Sequence, residues 1–163
     1  GSEMCIRDRM SGDLIKWCAD TGRFAFLKDT CCDIRQLQQK IAFTKDTPLK
    51  IFNANSATLL ESLKLGAAGF CGVMLNFHPE LYGWLCRNWR KNMQKAQKLQ
   101  DFATVASLIE LQNYPTNAKY HMSLSGVPIG LVTRSKDYAG FQELQKSEVQ
   151  ALYQCWQNYS AIL

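Results

Sequence analysis

Residues 24–75 read FAFLKDTCCDIRQLQQKIAFTKDTPLKIFNANSATLLESLKLGAAGFCGVML and alternate short apolar runs with longer stretches of helical spacing. Phe24-Ala25-Phe26-Leu27 is an apolar run bounded by a turn signal at Gly22 and by Lys28, which predicts a buried strand. A helix is expected from about Cys32 to Phe43, with Ile34, Leu37 and Ile41 on one face. Pro48 ends the following loop, and Leu49 to Phe52 makes a second strand. Asn55 or Ser56 caps the next helix, whose Leu59, Leu60, Leu63 and Leu65 face inward until Gly66 stops it. Gly69 to Leu75 is the third strand. Strand and helix in alternation, with connections this long, predict an α/β fold with a parallel sheet in sequential order and helices on one side.

On the N-terminal side, Leu14, Ile15, Trp17 and Cys18 form an apolar helical stripe that Gly22 closes. Residues 1–11, GSEMCIRDRMS, have neither period; the Gly-Ser start is what a tag leaves behind, and CIRDR resembles translated adapter read-through. This leader is set aside, and the natural gene is expected to begin further upstream. Past Pro79 the pattern becomes helical: one helical stretch over 80–112 broken near Asn92, a shorter helix from Thr116 to Ser125, an irregular link at 126–130, and a last helix from about Gln142 to Tyr159. The organisation expected is thus a leader (1–11), an α/β segment (12–78) and a helical C-terminal region (79–163).

With 163 residues, 47% of them hydrophobic, the chain can bury a sizeable core. A complete eight-stranded α/β barrel takes about 250 residues. The charge of +5 is modest, with 19 basic and 14 acidic residues interspersed, and describes solubility more than a partner. Seven cysteines in no repeated spacing point to reduced thiols and a cytoplasmic setting rather than a disulfide framework. No apolar run reaches the roughly 18 residues that span a bilayer. His78 and His121 lack ligand-spaced partners, so no metal site is expected. No phosphate-binding glycine pattern is present. Arg87, Lys91, Lys95 and Lys98 fall at helical spacing and support the rival reading, a basic helical module for a polyanion such as nucleic acid, against the solvated face of a surface helix.

Lys28 stands at the C-terminal end of its strand, on the alternating face of Phe24 and Phe26. In α/β barrels the reacting groups sit at that end. A lysine held among apolar groups loses its preference for the ammonium form, leaving an amine able to attack a carbonyl. A solvated lysine at a strand end fits the same position. Thr30, two residues on, can donate its hydroxyl to a substrate carboxylate and can equally cap the next helix, and the two roles are not exclusive. Cys31 and Cys32, at a helix N-terminus, serve packing or carry a stabilised thiolate.

Three blocks weigh on this choice: Phe26-Leu-Lys-Asp-Thr30; Ile51-Phe-Asn-Ala-Asn-Ser56 with its leucine-rich helix; and Gly66-Ala-Ala-Gly-Phe-Cys-Gly-Val-Met-Leu-Asn76. In order and spacing they resemble the second half of the dihydrodipicolinate synthase and N-acetylneuraminate lyase family. Ala118-Lys-Tyr-His121 and Ser125-Gly-Val-Pro-Ile-Gly130 are similar to that family's helical C-terminal region, so the resemblance runs from about residue 12 to 163.

The resemblance implies the C-terminal part of an eight-stranded (β/α)8 barrel, with Lys28 matching the lysine that forms an imine with pyruvate or a related 2-oxo acid. It makes Thr30 part of a K-x-T pattern, places Asn53 and Ala54 in the substrate-lining loop after the seventh strand, and places Cys71 at a pocket-lining position of the eighth. Ala54 stands where the family often has Gly. Ser56 and Ala57 stand where sialic-acid lyases carry two acidic residues that hold the sugar chain, which argues against that substrate. No block here matches the family's catalytic tyrosine or hydroxyl-rich loop, so weak or no activity is expected of this stretch alone. A homo-oligomer is expected of the full-length protein, without cofactor, nucleic acid or membrane.

Overall fold

The computed structural model describes residues 10–134 and 137–160. The leader 1–11 lies outside the described residues except for Met10 and Ser11. The chain divides into two compact units, with the break after Gly72.

The first unit opens with α1 (Gly12–Asp20), capped by Ser11, whose hydroxyl accepts from the Leu14 N–H at 3.2 Å. Only one side of its expected apolar stripe is covered. Ile15, Cys18 and Ala19 are buried, whereas Leu14 and Trp17 are exposed, because α1 turns Cys18 and Ala19 towards Leu27 and Leu49. Strand β1 (Phe26–Asp29) is followed by α2 (Ile34–Phe43), β2 (Lys50–Asn53), α3 (Leu59–Leu65) and β3 (Gly69–Phe70). The sheet is parallel in the order β1-β2-β3, with Lys28 opposite Phe52 and Asn53 opposite Phe70.

β2 is displaced by one residue from expectation, and two strand boundaries differ by more. β1 begins at Phe26 rather than Phe24, and Phe26 is 51% exposed, so this strand is covered on one face only within its unit. β3 ends at Phe70, and the expected continuation to Leu75 becomes a 3-10 turn over Val73–Asn76. Gly72 sits at the change of direction; a Cβ there would meet the Phe70 ring at 2.2 Å and the Ala54 carbonyl oxygen at 2.5 Å, which excludes any side chain without movement. α3 ends as expected at Gly66, in the left-handed region at φ 107°.

Alternation sorts the sheet residues. Leu27, Asp29, Ile51 and Asn53 face the helices, where Asp29, Ile51 and Asn53 are each 2% exposed. Phe26, Lys28, Lys50 and Phe52 face the opposite way, with the Phe26 and Phe52 rings 4.6 Å apart.

The second unit is helical: α4 (Pro79–Asn88), α5 (Met93–Ala106), α6 (Thr116–Leu124) and α7 (Glu143–Ser160), with 3-10 turns over Val73–Asn76, Ser107–Leu111 and Tyr138–Gly140. The break expected near Asn92 occurs at residues 89–92, and the Asn92 side chain caps α5 by accepting from the Lys95 N–H at 3.0 Å. That break also corrects the basic stripe. Arg87 lies on α4, Lys91 in the break and Lys95 and Lys98 on α5, so the four do not share one helix face; Lys95 lies 4.8 Å from the centre of the Trp84 ring. Its core holds Met74, Phe77, Leu81, Tyr82, Leu85, Leu99, Ala103, Val149 and Trp156. Among the described residues no helix is long and apolar enough to cross a membrane.

Candidate active site

Lys28 is the penultimate residue of β1 and half-buried, on the face away from the helices. Backbone bonds carry the sheet past its strand ends: the Ala54 N–H donates to the Asp29 carbonyl at 2.9 Å, and the Cys71 N–H to the Asn53 carbonyl at 2.8 Å. Lys28, Ala54 and Cys71 are thereby gathered at the C-terminal end of the three strands. Thr30, half-buried, follows β1 directly. It does not cap α2; Asp33 does, its carboxylate accepting from the N–H groups of Arg35 at 2.9 Å and Gln36 at 3.3 Å.

Asn53 reaches the same strand end but turns its side chain the other way. Its amide nitrogen donates to Thr58 Oγ1 and Ser62 Oγ, each at 3.0 Å, and its Oδ1 accepts from the Asn55 N–H at 2.8 Å. The side-chain amide expected to line the pocket is thus engaged in fastening the β2–α3 loop. Period-two alternation accounts for this: Phe52 takes the open face, so Asn53 takes the helix face.

Cys31 also departs from the thiolate alternative. Burial and the adjoining Asp29 carboxylate push its thiol up to about 11, which keeps it protonated at neutral pH. Its Sγ donates to the Asp33 carbonyl at 3.4 Å.

Two arrangements had no sequence signal. Asp29, next to Lys28, forms a buried ion pair with Lys40 of α2, Oδ2 to Nζ 2.5 Å. The two are 11 positions apart, and neither lies in a pattern that predicts burial. In the helical unit, His78 and His121 are not lone residues: their ring centres lie 5.2 Å apart, enclosed by Phe77, Phe102, Tyr153 and Trp156. Burial, and for His78 also the neighbouring His121, lowers these imidazoles to about 3 and about 4 respectively, so both are neutral near pH 7.

A parallel α/β sheet with a lysine at its C-terminal edge, followed by a helical unit, places this chain in the class of barrel-related α/β proteins. The model of the dihydrodipicolinate synthetase family matches residues 9–154, and the chain belongs to that family. No curated protein matches it. Among solved structures, it is similar to a prophage protein of the dihydrodipicolinic acid synthase family from E. coli K12, crystallised with pyruvate (20% identity, TM-score 0.83, covering 96% of this chain and 54% of that one). It is also similar to a dihydrodipicolinate synthase of Bacillus anthracis (18% identity, TM-score 0.80, covering 91% and 50%). A third similar structure is the 2-keto 3-deoxygluconate aldolase of Picrophilus torridus (18% identity, TM-score 0.64, covering 73% and 44%). The chain spans about half the length of these structures, and at such identities the likeness shows the fold.

Proposed function

We propose that these residues form the C-terminal part of a (β/α)8 barrel lyase of the class I aldolase type, in which Lys28 forms an imine with pyruvate or a related 2-oxo acid. The observation that carries the reading is the place of Lys28, at the C-terminal end of β1 on the face the helices leave open, within the span of the family match. Membership of a family with an aldolase and a pyruvate-bound protein among its structural neighbours supports the reaction class. The Lys28 amine nitrogen adds to the ketone carbon, and the carbinolamine loses water to give the imine. The Thr30 hydroxyl and nearby backbone donors hold the carboxylate. No residue here matches the family's proton-transfer tyrosine, so imine formation is expected to outrun turnover in these 163 residues. The reading includes a cytoplasmic setting and a homo-oligomeric full-length protein.

Incubation with pyruvate and borohydride tests it, with the adduct mapped by mass spectrometry and Lys28→Ala as control. Adduct concentrated at Lys28 supports the reading; equal labelling of the surface lysines rules it out.

A further inference from the structure

The Asp29 carboxylate lies directly behind Lys28 and is engaged on both oxygens. Oδ2 pairs with Lys40 Nζ at 2.5 Å, while Oδ1 accepts from the Cys31 N–H at 3.0 Å. The Asp29 carbonyl meanwhile accepts from the Ala54 N–H at 2.9 Å. One residue therefore ties the end of β1 to α2, to the loop after β2 and to its own following loop. The side chains are 2% and 8% exposed, so water competes for neither partner. A buried pair of this kind is poor evidence for net stability, since apolar residues of similar volume commonly replace both partners without loss. What apolar residues cannot reproduce is the acceptor for the Cys31 N–H, or an ionic tether whose direction is set by both ends.

We propose that Asp29, anchored by Lys40, is the positioning residue of the site: it fixes the segment Lys28–Cys31 so that the Lys28 amine and Thr30 meet the ketone and the carboxylate of one 2-oxo acid together. This inference rests on the imine reading of Lys28. It assigns Asp29 and Lys40 no contact with substrate. Its consequence is selective: loosening the segment weakens recognition of the carboxylate and leaves the amine's own nucleophilicity in place.

The test compares two reactions of Lys28 in the whole chain. One is borohydride trapping over a range of pyruvate concentrations; the other is competitive labelling by acetic anhydride, which offers no carboxylate to be held. In Asp29→Asn, and in the double variant Asp29→Leu/Lys40→Met, the pyruvate concentration for half-maximal trapping should rise at least about tenfold, while acetylation of Lys28 relative to the surface lysines changes less than about twofold. The double variant leaves no buried charge unpaired, so its melting midpoint separates positioning from unfolding. Half-saturation unchanged in a folded double variant overturns the inference, as does an equal fall in both reactions. If the wild-type chain is not trapped at all, the imine reading fails instead; hydrogen exchange at the Cys31 amide then judges the tether, and a rate unaltered in the folded Asp29→Leu/Lys40→Met variant, which lacks the acceptor, overturns it.

Discussion

The imidazole rings of His78 and His121 meet edge to face, 5.2 Å between centres and 80° between planes, inside the helical unit. His78, at the N-cap of α4, is 0% exposed, and His121, within α6, is 2% exposed. Nε2 of His121 is buried without a hydrogen-bond partner, and the His78 imidazole has at most the Phe77 backbone. Neutral imidazole tolerates this environment far better than imidazolium, which would bring a charge among aromatic rings with nothing opposite it.

The pH dependence of stability follows. In the folded state the two groups titrate at about 3 and about 4, below the ordinary histidine value of 6.5, so the unfolded chain binds more protons in between. The stabilisation is fully present above about pH 6.5 and is lost as pH falls towards the folded values, at up to about 1.4 kcal/mol per histidine for each pH unit crossed. Urea midpoints measured between pH 7.5 and 4.5 should fall steeply in the wild-type chain. The slope should flatten in His78→Phe; equal slopes would show that these imidazoles do not govern acid sensitivity.

Asn53 predicts a stability effect where sequence resemblance pointed to binding. Asn53→Ala removes the donor to Thr58 and Ser62 and the acceptor for Asn55, leaving buried polar groups unpaired at a cost of about 1–3 kcal/mol. A lower melting midpoint is expected, together with an unchanged pyruvate concentration for half-maximal trapping at temperatures where the variant is folded. A change confined to pyruvate binding would return Asn53 to the pocket.

Cys31 should be the slow thiol of its loop. Held up to about 11, it presents very little thiolate at pH 7.5, whereas its neighbour Cys32 is exposed. Iodoacetamide labelling followed by mass mapping should modify Cys31 at least about tenfold more slowly than Cys32. Comparable rates would mean that neither burial nor Asp29 protects it.

Much of the secondary structure was legible because its signals are local. Gly66 stops α3 at a left-handed φ, Asn92 caps α5 where the long helical pattern was expected to break, and the three apolar runs became strands in sequential parallel order. Local signals misled where a boundary depended on neighbours. β3 stops after two residues, and the chain passes into the 3-10 turn through Gly72, where a Cβ would clash with Phe70 and the Ala54 carbonyl; no apolar run in the sequence records that close approach.

By itself, the order of residues determined the α/β alternation, the family resemblance and the position of Lys28 at a strand end, since periodicity and short motifs are written in near neighbours. Tertiary structure alone decided which face each residue took and what it met there. It turned Asn53 towards α3, joined Asp29 to Lys40 across 11 positions, broke the basic stripe between two helices and brought together two histidines 43 positions apart. These are contacts between elements, set by packing geometry and by the burial of charge and polar groups. A one-dimensional pattern carries hydrophobicity and spacing, and neither encodes the partner that a buried polar atom will find.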